Sequence, residues 1–160
     1  MIIVLMGVTG SGKTTVGRLL AENLGWSYFD ADDFHSELNI GKMKSGIPLH
    51  DADRIPWLES LRELVGDCLL RSENAVLACS ALRESYREYL LLDERVKLVY
   101  LEGDYQIIRD RLAQRRGHYM DPALLDSQFA TLEEPSECLR IYVSSEPRAI
   151  IGTIRNSLRI

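Results

Sequence analysis

Residues 2–14 read Ile2-Ile3-Val4-Leu5-Met6-Gly7-Val8-Thr9-Gly10-Ser11-Gly12-Lys13-Thr14. The apolar run Ile2 to Met6 has the length of a buried strand, and it leads straight into the spacing G-x-x-x-x-G-K-[ST]. Beyond the loop, Val16, Leu19, Leu20 and Leu24 recur at helical spacing, so the turn opens a helix. A strand, a glycine-rich turn and a helix N-terminus together point backbone N–H groups into one concavity, which suits an anion. In such a loop Lys13 is expected to reach the β- and γ-phosphates of a nucleoside triphosphate, with the Thr14 hydroxyl on Mg²⁺. A turn that merely linked strand to helix would not require Lys13 and Thr14 together. The nucleotide contacts expected here are Gly7, Thr9, Gly10, Ser11, Gly12, Lys13, Thr14 and Thr15.

Strand-like and helix-like patterns alternate along the rest of the chain. Trp26 to Phe29 is a short strand ending at Asp30, and a polar stretch from Ala31 to His50 holds a short helix over 36–44. Asp51 reads as the N-cap of a helix whose stripe is Trp57, Leu58, Leu61, Val65 and Leu69. Ala75 to Cys79 is a third strand, followed by a helix over about 83–92, and Val96 to Leu101 is a fourth strand. Asp104 precedes a helix carrying Ile107, Ile108 and Leu112, a polar segment runs over 115–122, and 124–132 reads as helical. Leu139 to Val143 is the fifth strand, and Ile150, Ile151, Ile154 and Leu158 line the last helix. Such alternation implies an α/β protein, a parallel sheet covered on both faces by helices, in one domain over 1–160.

Composition narrows the function further. The chain has 160 residues, 46% hydrophobic and 27% charged, ordinary for a globular protein. Its net charge of −5 argues against nucleic-acid or acidic-membrane partners, which want a basic face. A local arginine cluster can still meet an anionic small molecule. Cys68, Cys79 and Cys138 lack metal-type spacing, and reduced thiols in a cytoplasmic protein are expected. No apolar stretch approaches the ~18–20 residues that span a bilayer, and the N-terminal apolar run reads as a core strand rather than a signal peptide.

Ligands of parallel sheets gather at the carboxyl ends of the strands, so the residues after each strand are the candidates. After the second strand come Asp30, Asp32, Asp33 and His35. A phosphoryl-transfer site needs one carboxylate near the metal and another near the attacking hydroxyl, and Asp30 with Asp32 can supply both. The third strand ends in Cys79-Ser80 without an aspartate, so Asp30 is the candidate on the metal side. Ser80 either donates to a substrate or caps the following helix. Arg83 and Arg87, four apart, would share a helical face and meet an anion or simply solubilise it. Arg54 lies in the first turn of a helix, where the dipole disfavours it, so a functional partner is expected rather than a surface role. Trp57, one turn on, is core or a wall of the site. Arg109, Arg111, Arg115, Arg116, Gly117, His118 and Tyr119 have the composition of a lid that closes over phosphates, placed at about 115–124.

These residues resemble the gluconate kinase (gluconokinase) family over essentially the whole chain. The likeness is carried by Asp30-Ala31-Asp32-Asp33-Phe34-His35, Asn39, Lys42-Met43, Gly46, Pro48-Leu49, Asp53-Arg54 and Pro56-Trp57-Leu58. Cys79-Ser80-Ala81-Leu82-Arg83, Tyr86-Arg87, 115–119 and Gln128-Phe129 through Leu132-Glu133-Glu134-Pro135 extend it. The resemblance implies a five-stranded parallel sheet of the adenylate-kinase and shikimate-kinase type, a P-loop three-layer α/β/α fold with a small mobile lid. It implies ATP-dependent, Mg²⁺-requiring phosphorylation of D-gluconate at its 6-hydroxyl. In that scheme Thr14 and Asp30 hold Mg²⁺, Asp30 through water, and Asp32 binds the substrate hydroxyl as its base. Arg54, with Arg83 or Arg87, meets the gluconate, and His35, Ser80 and His118 join the substrate site. Arg115 steadies the transferring phosphoryl group and Arg111 the nucleotide. The family also often forms dimers. Three departures stand out: Ala31 replaces a glycine, Ser36 replaces a common proline, and Ser144-Ser145-Glu146-Pro147 replaces an aspartate-bearing turn near the adenine.

Rival readings fit less well. Shikimate kinases typically carry a triple-glycine turn where Cys79-Ser80-Ala81 stands, and the block 39–58 is not the base-reading segment of a nucleotide monophosphate kinase. A nucleotide-dependent switch has no use for a second substrate's hydroxyl, and so no use for the Asp30 and Asp32 pair.

Overall fold

A computed structural model describes residues 1–45, 47, 49–114 and 122–160. Five strands form one parallel sheet: β1 (Ile2–Met6), β2 (Ser27–Asp30), β3 (Ala75–Ala78), β4 (Val96–Glu102) and β5 (Leu139–Tyr142), in the order β2-β3-β1-β4-β5. β1 is central, pairing Ile2 with Ala75 on one side and with Val96 on the other. The chain crosses from β1 outward to β2, returns to β3, and then continues on the far side with β4. The order therefore reverses beside β1, and a crevice opens at the carboxyl ends there.

The inner strands β1 and β3 are apolar and buried throughout because both faces are covered, whereas the edge strands β2 and β5 carry polar and exposed residues. Alternation assigns Ile2, Val4 and Met6 to one buried cluster and Ile3 and Leu5 to the other. The first cluster is closed by α3 (Asp51–Leu70) through Trp57, Leu58, Leu61 and Val65, with Leu90 from the loop beyond β3. The second is closed by α1 (Lys13–Leu24), α5 (Tyr105–Gln114), α6 (Pro122–Thr131) and α7 (Pro147–Leu158), through Val16, Leu20, Ile108, Leu125, Ile150 and Ile154. Two short elements complete the chain: α2 (Glu37–Lys44), capped by the Ser36 hydroxyl accepting from Asn39 N–H at 3.2 Å, and α4 (Glu84–Arg87). Cys68 and Cys79 are buried and unpaired, and burial pushes the Cys79 thiol up to about 12.

Three elements differ from the sequence expectation. The N-cap of α3 is His50, not Asp51: the Asp53 carboxylate reaches back to accept from His50 N–H at 3.1 Å, which leaves Asp51 to point elsewhere. The helix expected over 83–92 shrinks to α4. Tyr89 and Leu90 donate to carbonyls three residues back, which tightens the chain into turns that bury Leu90. On α1 the buried face is Val16, Gly17, Leu20 and Ala21, and Leu19 is exposed. The lid expected at about 115–124 lies mostly outside the described residues; residues 122–124 open α6.

Small residues on α1 let the helix sit close to the sheet. A Cβ at Gly17 would stand 2.7 Å from the Tyr28 ring and 3.3 Å from Leu5 Cδ1. Gly17→Ala is expected to overpack this contact, despite alanine's better helix propensity, and to cost about 1–3 kcal/mol. Urea unfolding measures it; a variant as stable as the parent would show that the ring yields freely.

Candidate active site

The chain leaves β1 at Gly7, whose φ of +147° and a space closed by the Leu101 carbonyl, 2.7 Å from any added Cβ, both require glycine. Gly7 N–H donates to the Ser80 carbonyl at 3.3 Å, joining the loop to the chain just past β3. Gly12 then occupies the N-cap of α1 and, without a side chain, leaves the first helical N–H groups facing the cleft. Ser11 Oγ is buried with no hydrogen-bond partner, a donor poised in a loop built for oxygen ligands. Lys13 Nζ donates to the Gly7 and Val8 carbonyls at 2.8 and 2.9 Å, so its ammonium lies against the loop itself. Gln128 of α6 reaches the loop from outside, its Oε1 accepting from Thr9 N–H at 2.6 Å.

Across the cleft, Asp30 at the end of β2 is held by three donors. Thr14 Oγ1 lies 3.2 Å and the Tyr28 hydroxyl 2.9 Å from Oδ2, and Asp32 N–H donates to Oδ1 at 3.2 Å. Burial and the Asp30 carboxylate push the Tyr28 phenol up to about 12, so it remains a donor. The last contact caps a 3₁₀ turn, Ala31–Phe34, which turns Asp32 into the same cleft. The Thr14 hydroxyl and Asp30 carboxylate thus form a pair of hard oxygen donors, the type Mg²⁺ takes while keeping several waters and phosphate oxygens. Among the described residues no group of three or more His, Cys, Asp or Glu could hold a metal, so such an ion would depend on the nucleotide's own oxygens.

Asp32 is open to solvent on one side, yet the walls around its carboxyl raise its proton affinity. Burial is the main cause and the Asp30 charge adds to it, against the pull of Lys13 and His35. Two carboxylates two residues apart thus differ in surroundings: Asp30 is pinned by donors, and burial beside its charge raises the proton affinity of Asp32 above the ordinary value. His35 stacks on Trp57 with centroids 4.5 Å apart and planes at 11°, and Trp57 Nε1 donates to the Ala31 carbonyl at 2.7 Å. Trp57 is thus both core and wall. Burial lowers the His35 pKa; the Asp32 charge opposes this and Arg54 reinforces it.

Beyond His35 stands a polar cluster. Tyr86 donates to Asp51 Oδ1 at 2.7 Å, Arg83 Nη1 to Asp51 Oδ2 at 2.9 Å, and Arg54 Nη1 to the Tyr86 hydroxyl at 3.4 Å. Both guanidinium carbons lie 5.8 Å from the Tyr86 ring centroid. Arg54 therefore stands against Tyr86, within the protein's own polar cluster. Arg83 and Arg87 do not share a face. Arg83 is the N-cap of α4 and turns to Asp51, while Arg87 is 6% exposed and its Nη1 donates to the carbonyls of Ala81, Leu82 and Glu133. The expectation of Arg87 at a substrate is corrected: it holds two loops together. Ser80 is half-buried beside Gly7 and caps nothing, since α4 begins at Glu84. Arg111 Nη2 donates to the Val143 carbonyl, tying α5 to the end of β5. Arg115 and His118 lie outside the described residues.

Sequence reasoning missed Asp51, taken for a cap, and the Tyr28 hydroxyl. It gave Tyr86 and Gln128 no role beyond family likeness. The alternating pattern of β2 could have flagged Tyr28, two residues before Asp30 and so on the same face.

A family model described as shikimate kinase matches residues 9–146. A curated protein of Rattus norvegicus named probable gluconokinase is 47% identical over 154 residues, covering 84% of this chain and 83% of its own length. The structure of a sugar kinase from Janibacter sp. HTCC2649 superposes with a TM-score of 0.89 at 39% identity, covering 99% of this chain and 94% of that one. A gluconokinase from Sinorhizobium meliloti 1021 superposes at 0.82 with 36% identity, covering 98% and 94%.

The half-buried His35 ring predicts a pH effect. Its native pKa lies below the ordinary 6.5, so the unfolded chain binds the extra proton, and stability falls as the pH drops below that value. Between about pH 7.5 and about pH 5 the parent should lose more stability than His35→Gln, measured by urea unfolding. Parallel losses would place the ring in contact with water.

Proposed function

The chain belongs to the gluconokinase family, within the wider group matched by the shikimate kinase model, and we propose that it transfers the γ-phosphoryl group of ATP to the 6-hydroxyl of D-gluconate, giving 6-phospho-D-gluconate and ADP. The observation that carries this reading is the convergence on one cleft of the phosphate loop, the Asp30 and Asp32 pair, and the two guanidinium groups of Arg54 and Arg83. The identity to gluconokinases, with Cys79-Ser80-Ala81 after β3, favours gluconate over shikimate as acceptor.

The loop amides and Lys13 bind the nucleotide's phosphates, with Lys13 exchanging its contacts to the Gly7 and Val8 carbonyls for phosphate oxygens. Asp32 accepts the proton of the 6-hydroxyl as O6 attacks the γ-phosphorus and the bond to the β-γ bridging oxygen breaks. Its raised proton affinity suits a base that must take a proton and then release it. Thr14 and Asp30 would hold Mg²⁺, Asp30 through water; bound there, the ion neutralises charge on the β- and γ-phosphate oxygens. Arg54 and Arg83 orient the acid end of gluconate, and His35, in electrostatic reach of both Asp32 and Arg54, lines the stretch between. Arg115 is assigned to the transferring phosphoryl group, His118 to the substrate, Ser80 to the substrate's hydroxyls and Arg111 to the nucleotide. The three unpaired cysteines suit a cytoplasmic enzyme, and family likeness carries the expectation of a homodimer.

ADP release from ATP and Mg²⁺ with D-gluconate, shikimate, AMP or no acceptor tests the reaction directly: turnover should appear with gluconate, and equal slow release in every tube would overturn it. Asp32→Asn is expected to lower kcat by about 10²–10⁴-fold, and near-normal turnover would remove Asp32 from the proton transfer. Arg54→Ala should raise the gluconate KM by about ten- to a hundredfold with a smaller change in kcat; an unchanged KM would return Arg54 to a surface role.

A further inference from the structure

We propose that Asp51 determines acceptor specificity: its carboxylate occupies the seat of the acceptor's own carboxylate, holds Arg54 and Arg83 ready, and is exchanged for the substrate. The inference rests on the gluconate reading and deepens it. The geometry is that of a bound acid. One oxygen of Asp51 accepts from Tyr86 at 2.7 Å and lies 3.7 Å from Arg54 Nη1, while the other accepts from Arg83 Nη1 at 2.9 Å. A single carboxylate thus bridges two guanidinium groups, one oxygen to each side, as planar guanidinium donors favour.

The helix does not need this side chain as a cap, because Asp53 and His50 close the N-terminus of α3. Asp51 is also the outermost member of the cluster. Its side chain is 62% exposed, against 32% for Arg54 and 39% for Arg83, so rotating toward solvent uncovers the arginines without disturbing the core. Two guanidinium groups around one tyrosine repel each other, and a resident carboxylate keeps them together until substrate arrives.

Selectivity follows from that exchange. Two arginines and one aspartate leave a single net positive charge, matched to one carboxylate. An uncharged polyol cannot replace the Asp51 carboxylate and finds the arginines already satisfied. An aldonic acid replaces one carboxylate with another and keeps every donor occupied. The exchange also limits how tightly gluconate binds, because part of its attraction is spent displacing Asp51.

The test compares the parent protein with Asp51→Asn, which keeps the size and an oxygen acceptor but removes the competing charge. KM and kcat are measured for D-gluconate and for D-glucitol, the same carbon chain with the acid reduced to an alcohol, at low and high salt. The gluconate KM is expected to fall about two- to fivefold, the scale of one exposed charge contact, with the effect on KM rather than kcat and shrinking as salt rises. The kcat/KM preference for gluconate over glucitol should narrow, because the uncharged polyol no longer faces a resident carboxylate on the arginine donors and gains more than gluconate does. A preference that widens would overturn the role of Asp51 in selectivity. A gluconate KM that is unchanged or raised in Asp51→Asn, while the parent phosphorylates gluconate, would overturn the role of Asp51 alone. Failure of the parent to use gluconate would overturn the functional reading and this inference with it.

Discussion

The close approach at Gly7 governs everything built around it. The chain leaves the central strand with no room for a Cβ beneath the Leu101 carbonyl, and its N–H is bonded to the Ser80 carbonyl. That contact locks the ends of β1, β3 and β4 at one level and fixes where the phosphate loop begins. From there the loop must climb into α1, and Gly17 on that helix lets it lie against Tyr28 of β2. Tyr28 in turn fixes Asp30, and Asp30 fixes the turn that presents Asp32. One tight backbone contact thus sets the distance between the phosphate side of the cleft and its carboxylates.

Electrostatics then divides the labour among like residues. Asp30 accepts from three donors, whereas Asp32, only two residues on, is partly desolvated beside that negative charge and binds a proton more readily than an ordinary aspartate. Among the arginines the division is by burial. Arg87 is enclosed and spent on the backbone carbonyls of Ala81, Leu82 and Glu133, while Arg54 and Arg83 remain at the cleft edge around Tyr86 and Asp51. Phosphoryl transfer asks mainly for positioning and charge compensation, and this cleft provides both with few groups.

The contrast between Asp51 and Asp53 shows why local reading fails at such points. Both are acidic residues in the first turn of α3, and either could cap it by sequence rules. The choice is made by two residues remote in sequence: Tyr86 and Arg83, beyond β3, draw Asp51 away, and Asp53 closes the helix with Lys42 against its carboxylate at 2.7 Å. Arg83 and Arg87 part for a related reason. Arg83 is the N-cap of α4, with extended backbone at φ −100° and ψ 147°, so it stands outside the helix and the i, i+4 relation does not put it on one face with Arg87.

The sequence alone determined the alternation of strands and helices, the phosphate loop, and the Asp30 and Asp32 pair after the second strand. Each depends on periodicity, glycine spacing or chain order, which are local properties. Tertiary structure decided which charges act on which. The isolation of Arg87, the raised proton affinity of Asp32 and the capture of Asp51 by two arginines all arise between groups brought together from different elements. Burial and Coulomb interaction act through space, and their strength is set by separations and solvent exclusion that only the folded chain defines.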